Sequence, residues 1–98
     1  MSIPNSTSTS DARLQSFRRA LNEKLNPIHL ELFDDSQLHA GHAGAQGGAG
    51  HYRIFITSEI FRGRSRLNRH RLVYDALDRW FPSEIHALII HANTPEEK

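Results

Sequence analysis

The chain contains no cysteine. That absence removes disulfides, thiol catalysis and any thiolate metal site built from this chain alone, so iron-sulfur chemistry would need thiols from outside. Long apolar runs are missing as well. No stretch approaches the roughly 20 residues needed to span a bilayer, and a soluble protein with no membrane contact is expected. An excess of one charge is also lacking: 12 Lys and Arg stand against 11 Asp and Glu, for a formal net charge of +1. Binding to nucleic acid by bulk charge is thereby excluded, and only charge clustered on one face remains as an electrostatic signal. The opening residues MSIPNSTSTS show neither the basic start and apolar middle of a secretory signal nor an Arg-rich transit pattern, so cytoplasmic residence is expected.

What is present describes one small domain. The 98 residues are 38% hydrophobic and 23% charged, a globular composition with room for a single core. Residues 1–10 are small and polar and are expected to form a disordered tail. Ser10 can cap the helix that follows, and Leu14, Phe17, Leu21 and Leu25 mark its apolar face until Asn26-Pro27 ends it. Ile28, Leu30 and Leu32 then alternate with His29, Glu31 and Phe33, the period of a half-buried strand. Asp34 to Gly50 holds five of the six glycines and reads as a long loop. A second strand is predicted from about His51 to Ser58, followed by a short helical turn near residues 59–63, with Phe61 in the core and Gly63 at the turn.

The run from Arg62 to Phe81 combines the longest helical periodicity with the densest positive charge. Leu72, Val73, Ala76, Leu77 and Trp80 form one stripe, with Ser65 as the expected N-cap. Arg62, Arg64, Arg66, Arg69 and Arg71 crowd its start, where cations oppose the helix dipole, so their expected role is toward a partner. Ile85 to His91 is a β-prone run, and Asn93 to Lys98 is a polar end. The predicted domain, residues 11–92, is therefore α+β: an α-β-β-α-β two-layer sandwich, with helices on one face of a three-stranded mixed sheet. Strict alternation would put His86 on the same side as Leu88 and Ile90.

Seven histidines are the unusual count. His29 and His91 read as ordinary surface or edge residues. His39 and His42 sit in the glycine loop, where imidazoles can reach a metal that prefers nitrogen. A self-contained zinc site would have to gather His39, His42, His51 and Asp35, which their spacing does not force. GHAGAQGGAG lacks the Lys-Ser/Thr ending of a P-loop and leads into a strand, excluding a nucleotide cradle. No nucleophile-base arrangement or catalytic carboxylate pair stands out, so no enzyme activity is expected. The arginine cluster, with His70, suits nucleic-acid phosphates, an acidic partner surface, or a plain solvated face. The element order is that of a type II KH-like domain, although Phe61-Arg62-Gly63-Arg64 offers one glycine where a KH loop has GxxG.

A set of short motifs in order carries a family resemblance: Asp34-Asp35-Ser36, His39-Ala40-Gly41-His42, Gly50-His51-Tyr52, Phe61-Arg62-Gly63, Arg69-His70-Arg71-Leu72-Val73-Tyr74, Ile85-His86-Ala87-Leu88 and Thr94-Pro95-Glu96. From about Leu14 to Glu97 the chain resembles the BolA family. The resemblance implies the KH-like fold, partnership with a monothiol glutaredoxin, and a [2Fe-2S] cluster shared with that partner and glutathione, in iron-sulfur trafficking or iron regulation. It also implies that His86 is a cluster ligand and that a second ligand comes from the loop between the first two strands, where His39 is the best match and His42 a near one. Some family members are described as DNA-binding regulators, a role for which Arg62, Arg64, Arg66, Arg69, His70 and Arg71 would be the contacts. Alone, the protein is expected to hold no cluster and to be a monomer or weak homodimer.

Overall fold

A computed structural model describes residues 9–36 and 48–97. Helix α1 spans Thr9–Leu25, strand β1 His29–Asp34, strand β2 Gly50–Thr57, helix α2 Arg66–Ala76 and strand β3 Ile85–Asn93, with short 3-10 turns at Glu59–Phe61 and Asp78–Trp80. The order is the α-β-β-α-β expected from periodicity. Strand β2 is central, antiparallel to β1 and parallel to β3.

Helix α1 buries Phe17, Leu21 and Leu25, spaced four residues apart on one stripe. It already includes Thr9 and Ser10, so Ser10 lies within the helix and is not its cap. Its other end closes at Asn26, whose φ of 47° is the left-handed conformation that commonly ends helices. Ser58 completes this closure. Its hydroxyl donates to the Leu25 carbonyl at 2.7 Å and accepts from the Ile60 N–H at 3.2 Å, serving two helix ends from one buried position.

Helix α2 starts as the sequence indicates: Ser65 Oγ accepts from the Asn68 N–H at 3.1 Å, and Gly63 supplies a φ of 75° in the turn before it. It is shorter than its apolar stripe suggests. Leu77 leaves helical geometry at φ −108°, ψ 11°, and a 3-10 turn carries Trp80 back over the core. The extended backbone of Phe81, imposed by Pro82, then ends the segment. Val73, Ala76 and Leu77 are buried, while Leu72 and Trp80 are partly so.

Both helices pack on one face of the sheet, against Leu30 and Leu32 of β1, Tyr52, Ile54 and Ile56 of β2, and Ile85, Leu88, Ile90 and Ala92 of β3. Phe61 is fully buried at the edge of this core. The opposite face carries His29, Glu31, Phe33, Arg53, Phe55, Ile89 and His91, and no described element covers it. There Phe55 and His91 stack at 4.5 Å, and the Arg53 guanidinium lies 4.5 Å over the Phe33 ring. The C-terminal segment is more engaged than its composition suggests. Strand β3 runs through Asn93, and Thr94 is buried.

Candidate metal-ligand site

The β2–β3 ladder carries one irregularity, and it falls on His86. Gly50 pairs with Ile85, but the next pair is His51 with Ala87, so His86 is an extra residue on β3. A bulge of this kind breaks strict alternation and re-aims a side chain. Ile85 and Leu88 therefore both face the helices, whereas His86 is exposed. This corrects the expectation that His86 shares a side with Leu88 and Ile90.

The bulge sets His86 beside His51. Their ring centroids are 5.1 Å apart, with planes tilted by 55°. A ring centroid lies about 3.2 Å from an ion bound through its nitrogen, so two imidazoles on one tetrahedral ion stand roughly 5 Å apart. The observed spacing fits that arrangement. Among the described residues no group of three metal-ligating side chains is present, so this pair needs ligands from elsewhere to complete a metal centre.

Both ends of the segment between β1 and β2 are held near the pair. Ser36 Oγ accepts from the His51 N–H at 3.0 Å, the Asp35 N–H donates to the His51 carbonyl at 2.8 Å, and Asp34 Oδ1 accepts from the Ser36 N–H at 2.8 Å. Arg53 donates to both Asp35 carboxylate oxygens, at 2.9 and 3.1 Å. At the far end, the Gly48 carbonyl accepts from Arg13 and the Gly50 N–H donates to the Glu84 carbonyl. Gly50 keeps this corner close: a Cβ there would lie 2.6 Å from Ser36 Oγ and 2.7 Å from the Tyr52 hydroxyl, so any larger residue would force a neighbour to shift. Burial pushes the Tyr52 phenol above its ordinary pKa, against the lowering effect of the Arg13 hydrogen bond. His39 and His42, the expected loop ligands, lie outside the described residues.

The five arginines separate into two groups. Arg62 donates to Glu59 and to both oxygens of Glu96, and Arg69 holds Glu97 through two nitrogens while also donating to the Ala92 and Arg64 carbonyls. These contacts fasten the segment after β3 to the start of α2. The Arg69 hydrogen bond, with a second from the Thr94 N–H, holds the Glu97 carboxyl down at about 2. Arg64 donates to the Ile60 carbonyl, and among the described residues no carboxylate pairs with Arg64, Arg66 or Arg71. Burial pushes the His70 imidazole below its ordinary pKa, with Arg66 and His91 adding to the effect.

Sequence reasoning missed the pairing of His51 with His86, the acidic partners of Arg62 and Arg69, and Arg13. The available signal for the first was Gly50-His51-Tyr52, whose glycine permits the close approach seen at the strand start.

A family model described as BolA-like protein matches residues 21–97. The chain belongs to the BolA-like family. Over 85 residues it is 45% identical to a protein of Arabidopsis thaliana named SufE-like protein 1, chloroplastic/mitochondrial, covering 82% of this chain and 23% of that protein. It is 39% identical over 88 residues to Protein BOLA1, chloroplastic, of the same plant, covering 87% of this chain and 55% of that one. The DNA-binding transcriptional regulator BolA of Escherichia coli is 34% identical over 84 residues, covering 82% and 77%. The solved BolA domain of Arabidopsis SufE1 superposes with a TM-score of 0.79 at 41% identity, covering 89% of this chain and 96% of that one. This BolA-like chain thus spans about a quarter of the first relative and just over half of the second. Among its described residues, no helix is long and apolar enough to cross a membrane.

Proposed function

We propose that this BolA-like domain is a non-catalytic partner of a monothiol glutaredoxin and shares with it a glutathione-ligated [2Fe-2S] cluster, in iron-sulfur trafficking or iron regulation. The observation that carries the reading is the bulge at His86, which exposes this imidazole at 5.1 Å from that of His51 in a chain without cysteine. When bound, the cluster would supply redox or transferable iron and sulfide, and mixed thiolate and histidine ligation is within its chemistry.

The chain's own residues act by presentation. His86 would offer one nitrogen, and His51 is the neighbour that the geometry favours for a second. His39 and His42 compete for that role, because the roughly three residues from Ser36 to His39 can reach up to about 11 Å and the roughly six from His42 to Gly48 up to about 22 Å. Thiolates of the partner and of glutathione would complete the set. A ligating imidazole nitrogen must be free of its proton, so the shared cluster should weaken in acid. Cytoplasmic residence is retained as part of this reading, although the plant relatives are named chloroplastic or mitochondrial.

The test combines the protein with a monothiol glutaredoxin, glutathione, ferrous iron and sulfide, followed by visible absorption and circular dichroism. His86→Ala should abolish or reshape the heterocomplex spectrum, and His51→Ala, His39→Ala and His42→Ala identify the second ligand. An unchanged spectrum for His86→Ala refutes the assignment. A second reading, a DNA-binding regulator, is favoured by the name of the Escherichia coli relative and by the exposed Arg64, Arg66 and Arg71. It requires an affinity that falls with salt in proportion to the phosphates contacted and that drops in an Arg66→Ala/Arg71→Ala variant.

A further inference from the structure

We propose that Arg13, on α1, is a positioning residue for the paired imidazoles, holding together the two backbone segments that carry His51 and His86. The inference rests on the reading of these two histidines as ligands.

The Arg13 side chain is mostly buried, at 17% exposure. Its Nη1 donates to the Gly48 carbonyl at 2.7 Å, three residues before His51. Its Nε donates to Glu84 Oε1 at 3.1 Å, two residues before His86, and Nη1 also lies 3.5 Å from the Glu84 carbonyl. The Tyr52 hydroxyl, one residue past His51, completes the set at 3.4 Å. Acceptors from the start of β2 and the start of β3 therefore converge on one guanidinium supplied by neither strand.

Such a strut is needed here because the ladder is interrupted. Between Gly50 and His51 the register shifts, leaving His86 as the residue without an opposite number on β2. Regular ladder hydrogen bonds fix the separation of neighbouring strands elsewhere, but at a bulge that constraint is locally lost. Arg13 supplies a substitute across the same gap, together with the Gly50 N–H to Glu84 carbonyl bond of 3.0 Å. The planar fork matters: it reaches Gly48 and Glu84 at once, whereas a lysine ammonium is a compact point charge on a flexible stem.

Two properties must be separated, the stability of the domain and the mutual placement of the rings. The probe is Cu2+-iminodiacetate, which leaves coordination positions for paired imidazoles, titrated into the full chain and followed by calorimetry and by electron paramagnetic resonance. His51→Ala and His86→Ala should each weaken binding and remove one nitrogen from the resonance pattern. If neither does, the paired-ligand reading fails and takes this inference with it. With that pattern established, Arg13→Gln should weaken binding about tenfold, the lower end of what loss of an outer-shell support costs a metal site. An Arg13→Gln protein that melts earlier but binds the probe as tightly as the wild type overturns the positioning role alone. Should Arg13→Gln fail to fold, Arg13→Lys decides: it retains the charge beside Glu84 without the fork, so weakened binding supports the inference and unchanged binding overturns it.

Discussion

Gly50→Ala is the substitution in which fold and site meet most directly. Gly50 is buried, pairs with Ile85 at the last regular position before the bulge, and directly precedes His51. An added methyl would lie 2.6 Å from Ser36 Oγ, 2.7 Å from the Tyr52 hydroxyl and 2.8 Å from Tyr52 Cζ, all inside the distance at which real Cβ contacts occur. Neither neighbour can yield cheaply. The Tyr52 ring packs edge-on against Phe17 at 5.1 Å, and Ser36 Oγ is the acceptor for the His51 N–H. Overpacking of this kind costs about 1–3 kcal/mol, and a broken Ser36–His51 hydrogen bond adds about 1 kcal/mol. Reduced freedom of the unfolded chain returns about 0.4–1 kcal/mol. The expected net loss is about 1–3 kcal/mol, and at roughly 4–8 °C per kcal/mol in a domain of this size the melting temperature should fall by about 4–24 °C. Urea titration followed by circular dichroism gives the free energy, and a thermal melt gives the second value. A Gly50→Ala protein within about 0.5 kcal/mol of the wild type would show that the strand start is looser than these contacts require.

Other outcomes follow from the same geometry. Ser58→Ala should cost about 1–3 kcal/mol in urea unfolding, because it strands the Leu25 carbonyl and uncaps the turn after β2. Arg69→Ala should lower the melting temperature by several degrees and Arg71→Ala by much less, because Arg69 alone of the two joins Glu97 and two carbonyls. The Glu97 carboxyl has a depressed folded-state pKa, about 2 against an ordinary 4.5, so its contribution is present in full above pH 4.5 and lost as the pH falls toward 2. Thermal melts over that range should show Glu97→Gln losing less stability on acidification than the wild type. Arg71→Ala should leave this acid dependence unchanged.

The arginine-rich start of α2 shows how a local rule can be sound and its conclusion incomplete. Cations at a helix N-terminus do oppose the dipole, and on sequence alone all five arginines point to a partner or to solvent. Glu96, 34 positions on, instead accepts from Arg62, and Glu97, 28 positions on, accepts from Arg69. Pairing over that distance leaves no periodic trace. His86 illustrates the same limit within one strand. Alternation is a property of regular backbone, and a single inserted residue reverses it for everything that follows.

By itself the sequence determined the element order, the inward stripe of α1, the Ser65 cap, the Gly63 turn, and family membership through its ordered motifs. These depend on periodicity and on residues acting within a few positions of themselves. Only the tertiary structure decided that His86 turns outward, that His51 stands 5.1 Å from it, and that Arg13 spans both strand starts. Each of these depends on the register of two parallel strands that α2 separates in the chain, and register is set by how the whole core closes.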